Sequence, residues 1–217
     1  AIDDGVKSLD ESIEIIKNMK ALGYKKIITT PHIMSHRFPN RKDNILAGCE
    51  LVKNELSKQN IDIELQAAAE YYFDEYFIEK IREKDLLTFG DNYVLFELSY
   101  TSTPFGLEQI VYELLQSGYK PILAHPERYT YYSSSLEKYA GLKDMGLLFQ
   151  INLNSLHKFY GAKPKLAAEY LVNNGLVDFV GSDIHHQNHV KAFSRKVNIK
   201  NVTQLESVIQ KNLFFSE

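Results

Sequence analysis

The chain has 217 residues, 44% hydrophobic and 24% charged, the make-up of an ordinary globular protein long enough to bury one substantial core. Its formal net charge of -3 comes with Lys and Arg scattered rather than striped, which speaks against a nucleic-acid partner. A single cysteine excludes an internal disulfide, and no apolar run approaches the roughly 18 residues of a membrane span, so a cytoplasmic location without membrane insertion is expected.

The predicted elements alternate along the chain. "SLDESIEIIKNMKALGY" reads as a helix, with Ser8 and Glu11 as a capping box and Gly23 as its stop. Leu9, Ile13, Ile16, Met19 and Leu22 form its apolar stripe. "KKIITT" is a β-branched strand ending at Pro31-His32. A helix from about Asn44 to Gln59 leads to the strand "IDIELQAA", which ends at Glu70. A helix over Asp74 to Glu83 precedes "NYVLFEL", which contains Glu97. The helix from about Pro104 to Ser117 precedes "KPILAH" and His125, and a helix near Leu136 to Lys143 leads to "LLFQIN". The last repeat is a helix near Lys165 to Asn174 and the strand "LVDFVGSD"; a helix near Val202 to Lys211 closes the chain.

This alternation predicts parallel βα units within one domain over residues 1–217. Six strands are visible, and the chain opens on a polar turn and a helix, with no initiator methionine. A closed α/β barrel would therefore find its first strand just upstream of Ala1, inside a larger protein. A doubly wound open sheet is the alternative fold.

The strands end on residues that carry chemistry: His32, Glu70, Glu97, His125, and the pair Asp183 and His185. In a barrel the loops after the strands converge on one face, where catalytic residues collect. Asp4, in the loop after the inferred extra strand, would join them. A lone strand-end histidine more often serves a structural hydrogen bond, but a carboxylate such as Glu97 inside an apolar strand is costly to bury without a cation. Seven such groups on one face would repel strongly without metal, and mixed His and carboxylate ligands suit several borderline divalent ions such as Mn, Fe or Zn. Arg128, three residues after His125 in "LAHPERYTYY", either holds a phosphate beside the metals or forms a structural ion pair with Glu127 or another carboxylate.

Other candidates carry less. Cys49 lies in a helical stretch, does not begin a Cys-x5-Arg loop and is assigned to the core; no glycine-rich phosphate loop is present. Tyr71 and Tyr72, and Tyr129, Tyr131 and Tyr132, read as packing or surface residues rather than a substrate platform. His36, His157 and His189 have no argued partner from sequence, and His186 is ambiguous.

Together "IDDG", "TTPH", "AAAEYY", "LFEL", "LAHPERY" and "GSDIHH" resemble the polymerase-and-histidinol-phosphatase (PHP) superfamily. Within it they look like the bacterial protein-tyrosine phosphatase branch that accompanies capsular and exopolysaccharide synthesis. The similarity runs from Asp4 to about His185. It implies a distorted seven-stranded (β/α) TIM-like barrel and a site for two or three ions, usually Mn2+. The implied substrate is a phosphotyrosine protein, notably the Tyr-rich tail of a bacterial tyrosine kinase. By this resemblance Glu70 bridges two metals, and Glu97 and His125 complete the second. Asp4, His32 and His185 hold the third, Asp183 ligates the first, and Arg128 binds phosphate. A metal-generated hydroxide would attack phosphorus in line, with no cysteine intermediate.

Two departures from the family pattern matter. The family begins with a His-x-His pair at the end of its first strand, shortly before "DDG", and this chain starts after it. Some relatives also carry a second arginine after Asp-x-His, where "HQNHVKAF" offers His189, Lys191 or nothing. Two rival readings are a PHP phosphatase for a small metabolite such as histidinol phosphate, and a non-catalytic barrel that metal merely stabilises.

Overall fold

The computed structural model describes residues 2–132, 135–193, 197 and 199–212. Its strands are β1 (Lys26–Thr29), β2 (His32–Ile33), β3 (Glu64–Ala67), β4 (Glu70–Tyr72), β5 (Tyr93–Glu97), β6 (Lys120–Ala124), β7 (Leu148–Asn152) and β8 (Phe179–Gly181). Between and after them lie helices α1 (Leu9–Ala21), α2 (Lys42–Lys58), α3 (Glu75–Glu83), α4 (Leu107–Gln116) and α5 (Lys138–Asp144). The short α6 (Leu153–Leu156), then α7 (Ala162–Asn173), α8 (Gln187–Ala192) and α9 (Val202–Lys211) complete the set.

All strand pairs are parallel: β1 pairs with β3, and the larger sheet runs β2-β4-β5-β6-β7-β8. Spatial order follows chain order, as successive βα units laid side by side require. The strands predicted to end at His32 and Glu70 are each broken in two, because Pro31 has no N–H to give the ladder. The bonding still carries across the break, from Ala68 N to Thr29 O at 2.9 Å and from Glu70 N to Pro31 O at 3.2 Å. Each predicted strand is thus one rung of a continuous parallel run.

Both faces of that run are buried. Val94, Phe96, Leu123, Phe149 and Ile151 point into the main core beneath the helices. Leu95, Ile122, Ala124, Phe179 and Ala68 form a second, smaller cluster on the opposite face. Two-sided burial explains why these strands read as unbroken apolar runs rather than alternating ones. Among the described residues no pairing joins β8 to β1. A cleft of about 1070 Å³ separates them, lined by Ile16, Met19, Ile28, Phe179 and Val180 among others. There the side-chain amide of Asn212 donates to Val180 O at 2.6 Å and accepts from Val180 N at 3.3 Å.

Helix α1 starts as its sequence predicts, with Ser8 Oγ accepting from Glu11 N at 3.2 Å, although the Glu11 carboxylate bonds Lys7 N at 2.7 Å rather than closing on Ser8. Its buried residues are Ile13, Ile15, Ile16 and Met19, while Leu9 and Leu22 are exposed. The face is rotated because α1 packs on two neighbours: Ile13 and Ile16 meet Cys49 and Leu56 of α2, and Ile15 and Met19 meet Val190 of α8. Cys49 is a core residue, as expected.

Buried tyrosines also fasten strand ends and the turns after them. Tyr129 Oη donates to Ala124 O at 2.8 Å and accepts from Leu98 N at 3.0 Å, tying the end of β6 to the residue after β5. Tyr139 Oη donates to Pro126 O at 2.9 Å, anchoring the 3-10 turn Pro126–Arg128. Replacing Tyr129 by Phe strands a buried donor and a buried acceptor. The expected cost is about 1–3 kcal/mol, measured as a lower denaturant midpoint with an unchanged far-ultraviolet circular dichroism spectrum.

Candidate metal centre

Two strand ends turn sharply into the site. His125 (φ 34°) and Asp183 (φ 47°) both adopt the left-handed region just after β6 and β8, an unfavourable conformation for residues with a Cβ. Such turns aim the side chains inward instead of continuing the strand.

The carboxylates and imidazoles named from sequence form a connected cluster. His125 Nε2 lies 3.1 Å from Glu70 Oε1 and 3.5 Å from Glu97 Oε2, with all three side chains at most 7% exposed. His32 Nε2 stands 3.7 Å from Glu97 Oε1, and its Nδ1 3.4 Å from Asp4 Oδ1. His185 Nε2 is 3.6 Å from the same Asp4 oxygen, while its Nδ1 is 3.3 Å from Asp183 Oδ1. Two sets bring ligand atoms within 4.8 Å of one another: Asp4, His32 and His185, and His32, Glu70 and Glu97. His32 is shared by both, and His125 flanks the second.

Arg128 closes the cluster at its rim, where Nη1 donates to Asp183 Oδ2 at 3.2 Å. It does not pair with Glu127. That buried carboxylate turns the other way, accepting from Asn152 N at 2.9 Å and Ser155 Oγ at 2.6 Å.

The electrostatics reflect crowding of negative charge. Burial, then the nearby Glu70, pushes Glu97 up to about 7. Burial alone would lower His32, but its bond to Asp3 and the charges of Glu70 and Glu97 win and raise it to about 10. Asp183 is held low despite burial by His125, His185 and Arg128. His125 is raised by Glu70 against the burial that opposes it. Buried carboxylates side by side, relieved mainly by histidines that must take up protons, are the donor set a borderline divalent cation fits. The residues present therefore suit metal binding.

Some participants escaped the sequence reading. Asp3 Oδ2 accepts from His32 N at 3.0 Å and sits 3.3 Å from His32 Nδ1, a carboxylate–histidine pair of the kind that orients a ligating ring. Asn152 donates through Nδ2 to Asp183 Oδ2 at 2.5 Å, and Tyr160 Oη donates to the same oxygen at 3.3 Å. Asn152 ends β7, so the strand-end rule could have found it; Tyr160 carried no such signal. His189 is buried, and its Nδ1 accepts from His185 N at 3.0 Å while its ring stacks on His186 at 3.9 Å. Burial, then the neighbouring His186, lowers it to about 4, so it stays neutral and braces the His185 loop.

The His32 shift has a consequence for the metal-free protein. Its folded value of about 10 lies above the ordinary 6.5, so the stability it contributes is complete below pH 6.5 and is lost as pH rises towards 10. Glu97 is already ionised over most of that window. In chelator, the protein should lose on the order of a few kcal/mol between pH 7 and 10, seen as a falling thermal midpoint. His32→Gln should flatten that slope.

The chain is similar to several known proteins along most of its length. The family described as capsular polysaccharide synthesis, CpsB/CapC, matches residues 1–211. CapC of Staphylococcus aureus is 29% identical over 185 residues, covering 85% of this chain and 72% of that protein. The tyrosine-protein phosphatase CpsB of Streptococcus pneumoniae is 30% identical over 193 residues, covering 85% and 79%. A crystal structure from a study of YwqE of Bacillus subtilis and CpsB of Streptococcus pneumoniae, metal-dependent tyrosine phosphatases, superposes with a TM-score of 0.82 at 25% identity, covering 100% of this chain and 90% of that one. The chain belongs to the CpsB/CapC family of capsular polysaccharide synthesis.

Proposed function

We propose that this protein is a metal-dependent protein-tyrosine phosphatase of capsule or exopolysaccharide synthesis, acting in the cytoplasm on a phosphotyrosine protein such as a bacterial tyrosine kinase tail. The observation that carries the reading is Glu70 and Glu97 buried against His125 and His32, with Arg128 at the rim of the same cluster. Relatives that act on phosphotyrosine favour that substrate over a small metabolite such as histidinol phosphate.

Asp4, His32 and His185 would hold one ion, and Glu70, Glu97 and His125 a second, with Mn2+ the expected metal. Asp183 and Glu70 would serve a further ion. In this reading residues 1–217 form a single PHP-type barrel, which the parallel strands running in chain order support.

When bound, the ions supply Lewis acidity, making water a usable nucleophile near neutral pH and drawing charge from the phosphoryl oxygens. Arg128 binds the phosphate through the N–H groups that Asp183 leaves free, and a planar fork matches phosphate better than a lysine would. Asp183 keeps that fork in place from one side. Glu127 fixes the turn that carries Arg128, through Asn152 and Ser155. No thiol is needed, and Cys49 lies buried away from the cluster.

Turnover of a phosphotyrosine peptide should require Mn2+, cease in chelator and survive iodoacetamide. Arg128→Ala should cost about 10²-fold or more in kcat/KM. Activity that is lost on alkylation yet indifferent to chelator would contradict this mechanism.

A further inference from the structure

Arg128 is held by more than Asp183. Its Cζ lies 4.3 Å from the ring centroid of Tyr160 and 4.8 Å from that of Tyr100. Tyr160 donates to Asp183 Oδ2, the same oxygen that accepts from Arg128 Nη1. The Tyr100 ring stacks on His125 at 5.4 Å, and its Oη sits 3.3 Å from His125 Nε2. The two rings come from separate loops, one following β5 and one preceding α7, and neither belongs to the buried apolar clusters. Phe159 packs edge-on against Tyr160 at 5.1 Å and so backs it from behind.

Rings laid against a guanidinium cover its faces and leave its donors in one plane. Asp183 takes one of those donors, and the others remain for a phosphate. The Arg128 side chain is 24% exposed and Tyr100 is 36% exposed, so a ligand reaching the arginine passes ring surface on its way out. An aryl group leaving that phosphate would meet aromatic walls, whereas a short alkyl group would leave them wet.

We propose that Tyr100 and Tyr160 form an aromatic clamp on Arg128, which presets the guanidinium for phosphate and favours aryl over alkyl phosphate esters. Tyr160 is the positioning residue, since it touches both Arg128 and the carboxylate that anchors it. Both rings wall the path of the ester group, so losing either one narrows the selectivity. The inference rests on the reading of Arg128 as the phosphate ligand.

Calorimetric titration of the full-length, Mn2+-loaded protein with phenylphosphonate and with ethylphosphonate tests it. Wild-type protein should bind the phenyl compound more tightly. Tyr160→Leu should weaken phenylphosphonate by about tenfold and narrow the gap between the two ligands, whereas Tyr160→Phe, which keeps the ring, should stay within about threefold of wild type. Should Tyr160→Leu fail to fold, Tyr100→Leu in the other loop carries the same expectation of a narrowed gap. Equal binding of the two phosphonates by wild type, or a leucine variant that binds both as wild type does, overturns the clamp. These constants are read without turnover, so a protein inactive on phosphotyrosine peptide would sink the phosphatase reading while leaving the clamp to be decided on binding alone.

Discussion

Two glutamates, Glu70 at the start of β4 and Glu97 at the end of the neighbouring β5, sit at most 7% exposed, each within 3.5 Å of the same imidazole nitrogen. Water cannot screen them there, and burying like charges together costs several kcal/mol unless a cation compensates. Much of the architecture serves that arrangement. Parallel strands deliver their C-terminal ends to one face, left-handed turns at His125 and Asp183 redirect side chains inward, and histidines from β2 and from the ends of β6 and β8 surround the carboxylates. Raised proton affinity at Glu97 and His32 is the signature of a pocket that protons fill when metal does not.

Around this centre lies a scaffold of buried hydrogen bonds. Tyr129 ties the residue after β5 to the end of β6, Tyr139 holds the turn after it, and Glu127 bonds Asn152 and Ser155. These bonds leave the Arg128 turn little freedom, so the guanidinium is placed before any ligand arrives. Preorganisation of this kind matters for phosphoryl transfer, where positioning and charge stabilisation do most of the work.

Much of this was legible in the sequence. Strand ends marked by His32, Glu70, Glu97, His125, Asp183 and His185 could be read because parallel strands buried on both faces are apolar runs that stop abruptly at polar residues. What stayed hidden has physical causes. The breaks at Pro31 and between Ala67 and Glu70 depend on how neighbouring strands pair, and the rotated face of α1 depends on packing against both α2 and α8. The short helices α6 and α8 span too few turns to show a period. Asp3 differs from Asp4 only in which way the loop turns it, and Tyr160 meets Arg128 through a loop whose path no local pattern encodes. The choice of Asp183 rather than Glu127 as partner to Arg128 likewise emerged only in three dimensions.

The decisive measurement is anomalous diffraction from crystals of the full-length protein loaded with Mn2+. At least two peaks are expected, one bound by Glu70, Glu97 and His125 and one by Asp4, His32 and His185. A carboxylate–histidine cluster that stays free of metal at saturating Mn2+, or ions bound only elsewhere on the chain, would contradict the account.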